Sequence, residues 1–223
     1  MIIAIDGPAA SGKSTVAKAV ARRLGIHYLD TGAMYRSVTW LALERGIALD
    51  DARGLADLAA AHSTTFRYAD GAVLPSAVRI AGVDVTSAIR TPAVDAHVSA
   101  VASVPEVRAV LVEQQRMLAA KGDSVVEGRD IGTVVFPDAG VKVFLTASAA
   151  ERARRRSVDL ASAGHELEVN EVRERLERRD HADSAREASP LDRAADADEL
   201  DTTGLSVGEV VDIIVRRFQE ASR

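Results

Sequence analysis

Nine consecutive residues, Gly7-Pro8-Ala9-Ala10-Ser11-Gly12-Lys13-Ser14-Thr15, satisfy the G-x-x-x-x-G-K-[ST] spacing of a phosphate-binding loop. The two glycines at the ends of the spacing let backbone amides turn inward around polyphosphate oxygens, and the positive end of the following helix adds to their pull. Lys13 is placed to reach the β and γ oxygens of a nucleoside triphosphate, and the Ser14 hydroxyl is placed to ligate magnesium. An apolar run at residues 2–5 precedes the loop and a helical pattern over 13–24 follows it, which is the context the motif needs. The G-x-G-x-x-G spacing of a dinucleotide site is absent.

A second anion-binding group is spread along the chain. Arg36 follows Thr31 in the first turns of an expected helix, and Arg129-Asp130 follows an apolar run at 124–126, at the carboxyl end where open α/β sheets bind ligands. Arg179, Asp183 and Arg186 stand at i, i+4 and i+7, so one helix face would carry two guanidinium forks around one carboxylate, suited to a phosphate and a ribose hydroxyl. The competing reading of that face is a solvated helix laced with ion pairs, the reading given to Glu174, Glu177 and Arg178. Glu151-Arg152 and Arg154-Arg155-Arg156 follow the apolar run at 141–145, where a lid could fold over the triphosphate. Arg152 is assigned there to the donor nucleotide and Arg156 to charge on the moving phosphoryl group.

Other matches carry less. Asp30-Thr31-Gly32 spells the aspartic-protease tripeptide without a second copy, and Asp30 or Thr31 serves equally as a helix cap. Asp201-Thr202-Thr203-Gly204 matches D-x-x-G, but the Asn-Lys-x-Asp guanine reader of a GTPase switch is missing. His27, His62, His97, His165 and His181 are scattered singly and read as structural or solvated, with no transition metal assigned.

These groups must be positioned by a folded frame. The 223 residues suit one large domain or a core with insertions. Lys plus Arg is 28 against 33 Asp plus Glu, a net charge of −5, which argues against a protein that coats nucleic acid or membrane through bulk positive charge. The absence of cysteine excludes disulfides, thiolate metal sites and a cysteine nucleophile, and it suits a reducing compartment. The apolar start is too short for a signal segment and reads as a buried strand. Short apolar runs at 2–5, 28–29, 124–126 and 141–145, with a further strand at 198–201, alternate with helical patterns, so a parallel α/β sheet covered by helices is expected. Ser206-Val207-Gly208-Glu209 is a capping box that should open the last helix, through Phe218. Residues 64–68 and 77–85 alternate as antiparallel strands of a small insert, and Pro92 opens a helix after them. Residues 151–187 are charged and Arg-rich, with a break at Gly164, and read as two exposed, mobile helices.

Taken together, Ile5 to Thr15, Leu29-Asp30-Thr31-Gly32-Ala33-Met34-Tyr35-Arg36, Glu127-Gly128-Arg129-Asp130-Ile131-Gly132-Thr133-Val134-Val135-Phe136-Pro137 and Arg179-Asp180 with Asp183 and Arg186 closely resemble the bacterial cytidylate kinases, over nearly the whole chain. The resemblance implies a P-loop fold with a parallel sheet of about five strands, an insert that binds the nucleoside monophosphate, and a helical lid. It divides the chain into core (1–34), insert (35–104), core (105–148), lid (149–188) and core (189–223). It implies transfer of a phosphoryl group from ATP, with magnesium, to CMP or dCMP. Thr31, Arg36, Arg129 and Arg179 would hold the acceptor phosphate, Asp183 the ribose, and Ser99, Arg108, Asp130 and Arg186 the cytosine edge. Lys13, Arg36, Arg129, Arg156 and Arg179 would act on the transferring group. A cytoplasmic monomer without nucleic-acid or membrane partners is expected. The alternatives are a P-loop kinase for UMP, AMP, dTMP or shikimate, and a nucleotide-dependent switch that hydrolyses ATP or GTP slowly and phosphorylates nothing. Lys13→Ala or Arg36→Ala is expected to lower turnover by orders of magnitude in a coupled assay, and near-normal rates would reject these roles.

Overall fold

The computed structural model describes residues 1–162, 164 and 167–222. Five parallel strands form the main sheet: β1 (Ile2–Asp6), β2 (His27–Asp30), β6 (Ser124–Glu127), β7 (Val141–Thr146) and β8 (Asp198–Asp201), in the order β2-β6-β1-β7-β8. The strand period of two sends alternate side chains to opposite faces. Ile3, Ile5, Val125, Val143 and Leu145 enter a core on one face, while Ala4, Leu29 and Val126 enter the core on the other. Both faces are buried, which is why these strands read as continuous apolar runs and not as alternating ones.

The first face is covered by α1 (Lys13–Leu24) and α8 (Val207–Ala221), whose Val16, Val20, Val210 and Ile214 pack on the sheet. Gly25 ends α1 in the left-handed conformation, and the Ser206 and Glu209 capping box opens α8 as its spacing predicts. The second face is covered by α2 (Thr31–Glu44), α3 (Ala52–Ala61) and α5 (Pro105–Ala119). Each fully buried aliphatic side chain contributes about 1.5–3 kcal/mol.

The antiparallel strands expected in the middle of the chain are β3 (Thr65–Tyr68), β4 (Pro75–Ile80) and β5 (Val83–Asp84). Ala81 and Gly82 both take positive φ in the tight turn between β4 and β5, as a two-residue hairpin requires. This small sheet and α4 (Pro92–Ser103) do not pack as a separate unit. Val78, Ile80, Val85, Ile89, Val98 and Val101 belong to the same apolar cluster as Ala4, Leu29 and Val126 of the main sheet. The boundary expected between residues 34 and 35 falls inside the continuous helix α2.

The Arg-rich segment forms α6 (Ala149–Ser162) and α7 (Val169–Ser184). Its solvent side carries the expected ion pairs, Arg173 with Glu177, Arg175 with Glu171 and Arg178 with Glu174. The apolar stripe is narrow, but Val172 and Leu176 are buried against Ala9 of the phosphate-binding loop, so the pair of helices is docked on the core. His165 lies outside the described residues.

Every strand of the main sheet delivers its carboxyl end to one edge. The phosphate-binding loop follows β1, Thr31 follows β2, Gly128-Arg129-Asp130 follows β6, α6 follows β7 and Thr202 follows β8. Gly7 makes the first turn of the loop at φ 142, and a Cβ there would be driven into the Leu145 carbonyl at the end of β7. Gly25 also has positive φ but faces open space. Gly7→Ala is therefore expected to lower stability by about 3 kcal/mol, from backbone strain plus displacement of β7, and Gly25→Ala by only about 1 kcal/mol. Urea unfolding of the two variants checks the difference, and equal losses would contradict it.

Candidate functional site

The phosphate-binding loop wraps the start of α1, with Gly12 in the left-handed conformation at its cap and Ala10 also at positive φ. The Lys13 side chain is buried, and its Nζ donates to the Pro8 carbonyl at 2.5 Å, with the Ser11 hydroxyl 3.4 Å away. Burial and the nearby Arg129 lower the Lys13 pKa well below the ordinary lysine range, while Glu127, Asp6 and Asp180 counter them. A bound polyphosphate would do the same as those carboxylates and favour the charged ammonium.

Ser14 points its hydroxyl at the Glu127 carboxylate, 2.9 Å away, and the other oxygen of Glu127 accepts from the Tyr28 hydroxyl. Burial raises the Glu127 pKa, with Asp30 adding to the rise. Asp6, at the end of β1, accepts from the amides of Ile131 at 2.9 Å and Gly132 at 2.7 Å, which fastens the chain after Asp130.

Beside the loop lies an open cleft lined by Thr31, Ser99, Arg108, Arg129, Asp130, Arg179, Asp183 and Arg186 among others. Asp183 is its buried centre. One of its oxygens accepts from Arg129 Nε at 2.9 Å, and the other pairs with Arg186 and lies 3.3 Å from the Ser99 hydroxyl. Burial opposes charge on Asp183, but Arg129, Arg186 and Arg179 outweigh it and hold the carboxyl below its usual range. Arg108 pairs with Asp130 deep in the cleft and donates to the Ala102 carbonyl at 3.1 Å. Thr31 donates to the Glu127 carbonyl at 2.7 Å.

Arg36 does not line the cleft directly. Its guanidinium donates to the Ile89 carbonyl at 3.1 Å and pairs with Asp95 of α4, which also receives Arg156 at 2.7 Å and Arg179 at 3.2 Å. Burial would raise the Asp95 pKa, yet the three arginines drive it far below the carboxylate range. Arg179 is lowered to about 10 by burial and by the neighbouring Arg129 and Arg36. The buried Nε groups of Arg108, Arg152, Arg179 and Arg186 have no hydrogen-bond partner among the described residues. Unpaired buried donors are costly, so this site is suited to receive anionic oxygens.

The expected helical face of Arg179, Asp183 and Arg186 is assembled differently from the spacing. Helix α7 ends at Ser184, and Arg186 reaches Asp183 from the segment beyond the cap, where the Leu191 amide holds the Asp183 carbonyl at 2.9 Å. Arg152 donates to the Ala9 carbonyl at 3.2 Å and pairs with Asp180, which accepts from the Ala9 amide at 3.1 Å. Sequence reasoning passed over Asp95, whose place in the first turn after Pro92 reads as an ordinary acid at a helix start. It also passed over Glu127, although an acid ending a buried apolar strand was a usable signal, and over Arg155, which donates to the Ser11 carbonyl at 3.3 Å and to the Thr202 carbonyl at 2.9 Å.

Residues 3–220 match a family model described as cytidylate kinase. A cytidylate kinase from Desulfitobacterium hafniense (strain Y51) is 51% identical over 98% of this chain and 92% of its own length. A bifunctional pantoate ligase/cytidylate kinase from Synechococcus sp. (strain JA-3-3Ab) is 52% identical over 98% of this chain, which spans 41% of that relative's length. Among solved structures, an uncharacterized protein from Eubacterium ventriosum shares the fold with a TM-score of 0.53 at 13% identity, over 98% of both chains.

The Asp6 carboxyl generates a test of this geometry. Burial pushes its pKa up to about 6 against the opposing Gly132 and Ile131 amides. The folded chain then holds a proton that the unfolded chain has lost, so Asp6 contributes stability near pH 4 that disappears as pH rises through 6. The loss is on the order of 2 kcal/mol. Urea unfolding at pH 4 and pH 6 should show that Asp6→Asn removes this fall, and an unchanged pH slope would contradict the assignment.

Proposed function

The chain belongs to the cytidylate kinase family, and from that premise we propose that it transfers the γ-phosphoryl group of ATP to CMP and dCMP, releasing ADP and the nucleoside diphosphate. The observation that carries the proposal is the arginine-rich cleft beside the phosphate-binding loop, where the Nε atoms of Arg108, Arg179 and Arg186 have no partner among the described residues. Binding the triphosphate at the loop and the monophosphate in the cleft would bring the γ-phosphoryl group up to the acceptor phosphate.

The donor binds at residues 7–15, with inward backbone amides and Lys13 on its β and γ oxygens. A second cavity opens beside the loop, lined by Gly12, Thr15, Arg155, Thr202, Leu205 and Val207 among others, and it takes the donor base. The Ser14 hydroxyl and the Glu127 carboxylate form an oxygen donor set that suits magnesium shared with phosphate oxygens. When bound, that ion supplies charge neutralisation on the β and γ phosphates.

Arg129 and Arg179, with Thr31, hold the acceptor phosphate, and Arg36 acts with them through the Asp95 junction. Asp183 takes the ribose hydroxyls, and Ser99, Arg108, Asp130 and Arg186 read the cytosine edge. An acceptor phosphate is already ionised near neutral pH, so its oxygen attacks the γ-phosphorus without a base or a protein nucleophile. The bond to the β–γ bridging oxygen breaks as the new one forms, and both electrons leave with ADP. Positioning and electrostatic stabilisation therefore supply the acceleration, with Lys13, Arg129, Arg156 and Arg179 matching charge on the moving group. Helices α6 and α7, as a lid over the core, and the insert exclude water that would otherwise consume ATP. No helix among the described residues is long and apolar enough to cross a membrane.

The test is a panel of acceptors, CMP, dCMP, UMP, AMP, dTMP and shikimate, with ATP and magnesium in an assay coupled to ADP release. CMP or dCMP should give the highest kcat/KM. A better rate with UMP or AMP would overturn the acceptor assignment, and slow ATP hydrolysis with no phosphorylated product would favour a switch.

A further inference from the structure

A dense charge cluster is centred on a residue that the reaction described above uses only as the junction behind Arg36. Asp95 sits in the first turn of α4 and receives one guanidinium from each of three other elements, Arg36 of α2, Arg156 of α6 and Arg179 of α7. These partners lie 59, 61 and 84 residues away in the sequence. Asp95 is not among the residues that line the cleft. Of its three arginines, Arg179 lines the cleft.

How those arginines distribute their donors shows what the carboxylate does. Arg36 places one terminal nitrogen on the Ile89 carbonyl and the other on Asp95. Arg156 and Arg179 each give Asp95 a single terminal nitrogen, and the buried Nε of Arg179 has no partner among the described residues. Each of the two lid arginines is thus fixed at one side of its fork, and Arg179 also lines the cleft. A planar, rigid fork tied at one donor has its remaining donors aimed. Three cations without their common anion would repel one another and turn outward.

Resting on the phosphoryl-transfer reading, we propose that Asp95 is the positioning residue of the transfer site, the post that aims Arg156 and Arg179 and ties both lid helices to the insert. It acts through the arginines and does not touch the acceptor. Because the moving group gathers its charge on transfer, the loss of this aim falls on kcat more than on the binding of either nucleotide.

The experiment is a double-mutant cycle between Asp95→Asn and Arg156→Ala, with kcat and KM measured for CMP and ATP. Wild-type protein that makes no CDP would defeat the functional reading itself, whatever the variants do. With active wild type, Asp95→Asn should lower kcat by about 10- to 100-fold and change KM for ATP by less than about threefold. The loss caused by Arg156→Ala should be at least about tenfold smaller in the Asp95→Asn background than in wild type. Asp95→Glu, which keeps the charge, should recover at least about fivefold of the lost kcat. Additive losses, or an unchanged kcat in a variant that only melts earlier, would overturn the proposal. If the Asn variant does not fold, the cycle is run with Asp95→Glu, where coupling to Arg156→Ala supports the proposal and additivity overturns it.

Discussion

Guanidinium groups repel one another, and Arg36, Arg108, Arg129, Arg156, Arg179 and Arg186 are gathered into one half-buried region. In water such a cluster would disperse, and away from water the repulsion is stronger still. It persists because three carboxylates are interleaved with it. Asp95 takes three arginines, Asp183 takes two, and Asp130 takes Arg108. The carboxylates leave an excess of positive charge, so the cluster is held together without being satisfied. An added anion would lower the repulsion that remains.

That arrangement depends on the sheet. The carboxyl ends of five parallel strands meet at one edge, and short connections leave them without room to diverge. Asp6 ends β1 and fastens the amides of Ile131 and Gly132, so the segment carrying Arg129 and Asp130 is anchored to the strand that carries the phosphate-binding loop. Glu127 ends β6 and meets both Ser14 and Tyr28, which joins β6 to α1 and to β2. Two ligands can be aligned to within a fraction of an ångström only if their holders share such a frame.

The insert and the Arg-rich helices show how a part that contacts ligand can be built on this frame without a large core of its own. The small antiparallel sheet shares the apolar cluster of α2 and of the main sheet, so its position is coupled to the core. Helices α6 and α7 bury little, chiefly Ala153, Val172 and Leu176; Arg152 and Asp180 pair them with each other, and ion pairs at Asp95 and Asp183 tie them to the rest. An attachment made of exchangeable ion pairs at the ligand site suits a part whose contacts must change when nucleotides enter and leave.

Much of this was legible in the residues themselves. The spacing over 7–15, the apolar runs that became strands, the capping box at Ser206 and the helix punctuation at Gly25 are local patterns, governed by backbone conformation and by the period of hydrophobicity. The motifs also carried the family, because they fall at fixed places along nearly the whole chain. What no local pattern could supply is which arginine meets which acid. Asp95 reads as an ordinary acid in a first turn, and its three partners are brought to it by helices that the sequence alone does not orient. Arg186 reaches Asp183 from beyond the end of α7, where helical spacing no longer applies. Periodicity is a property of neighbours along the chain, whereas the pairing of charges 59 to 84 residues apart is decided by packing, and packing exists only once the sheet and its two cores have formed.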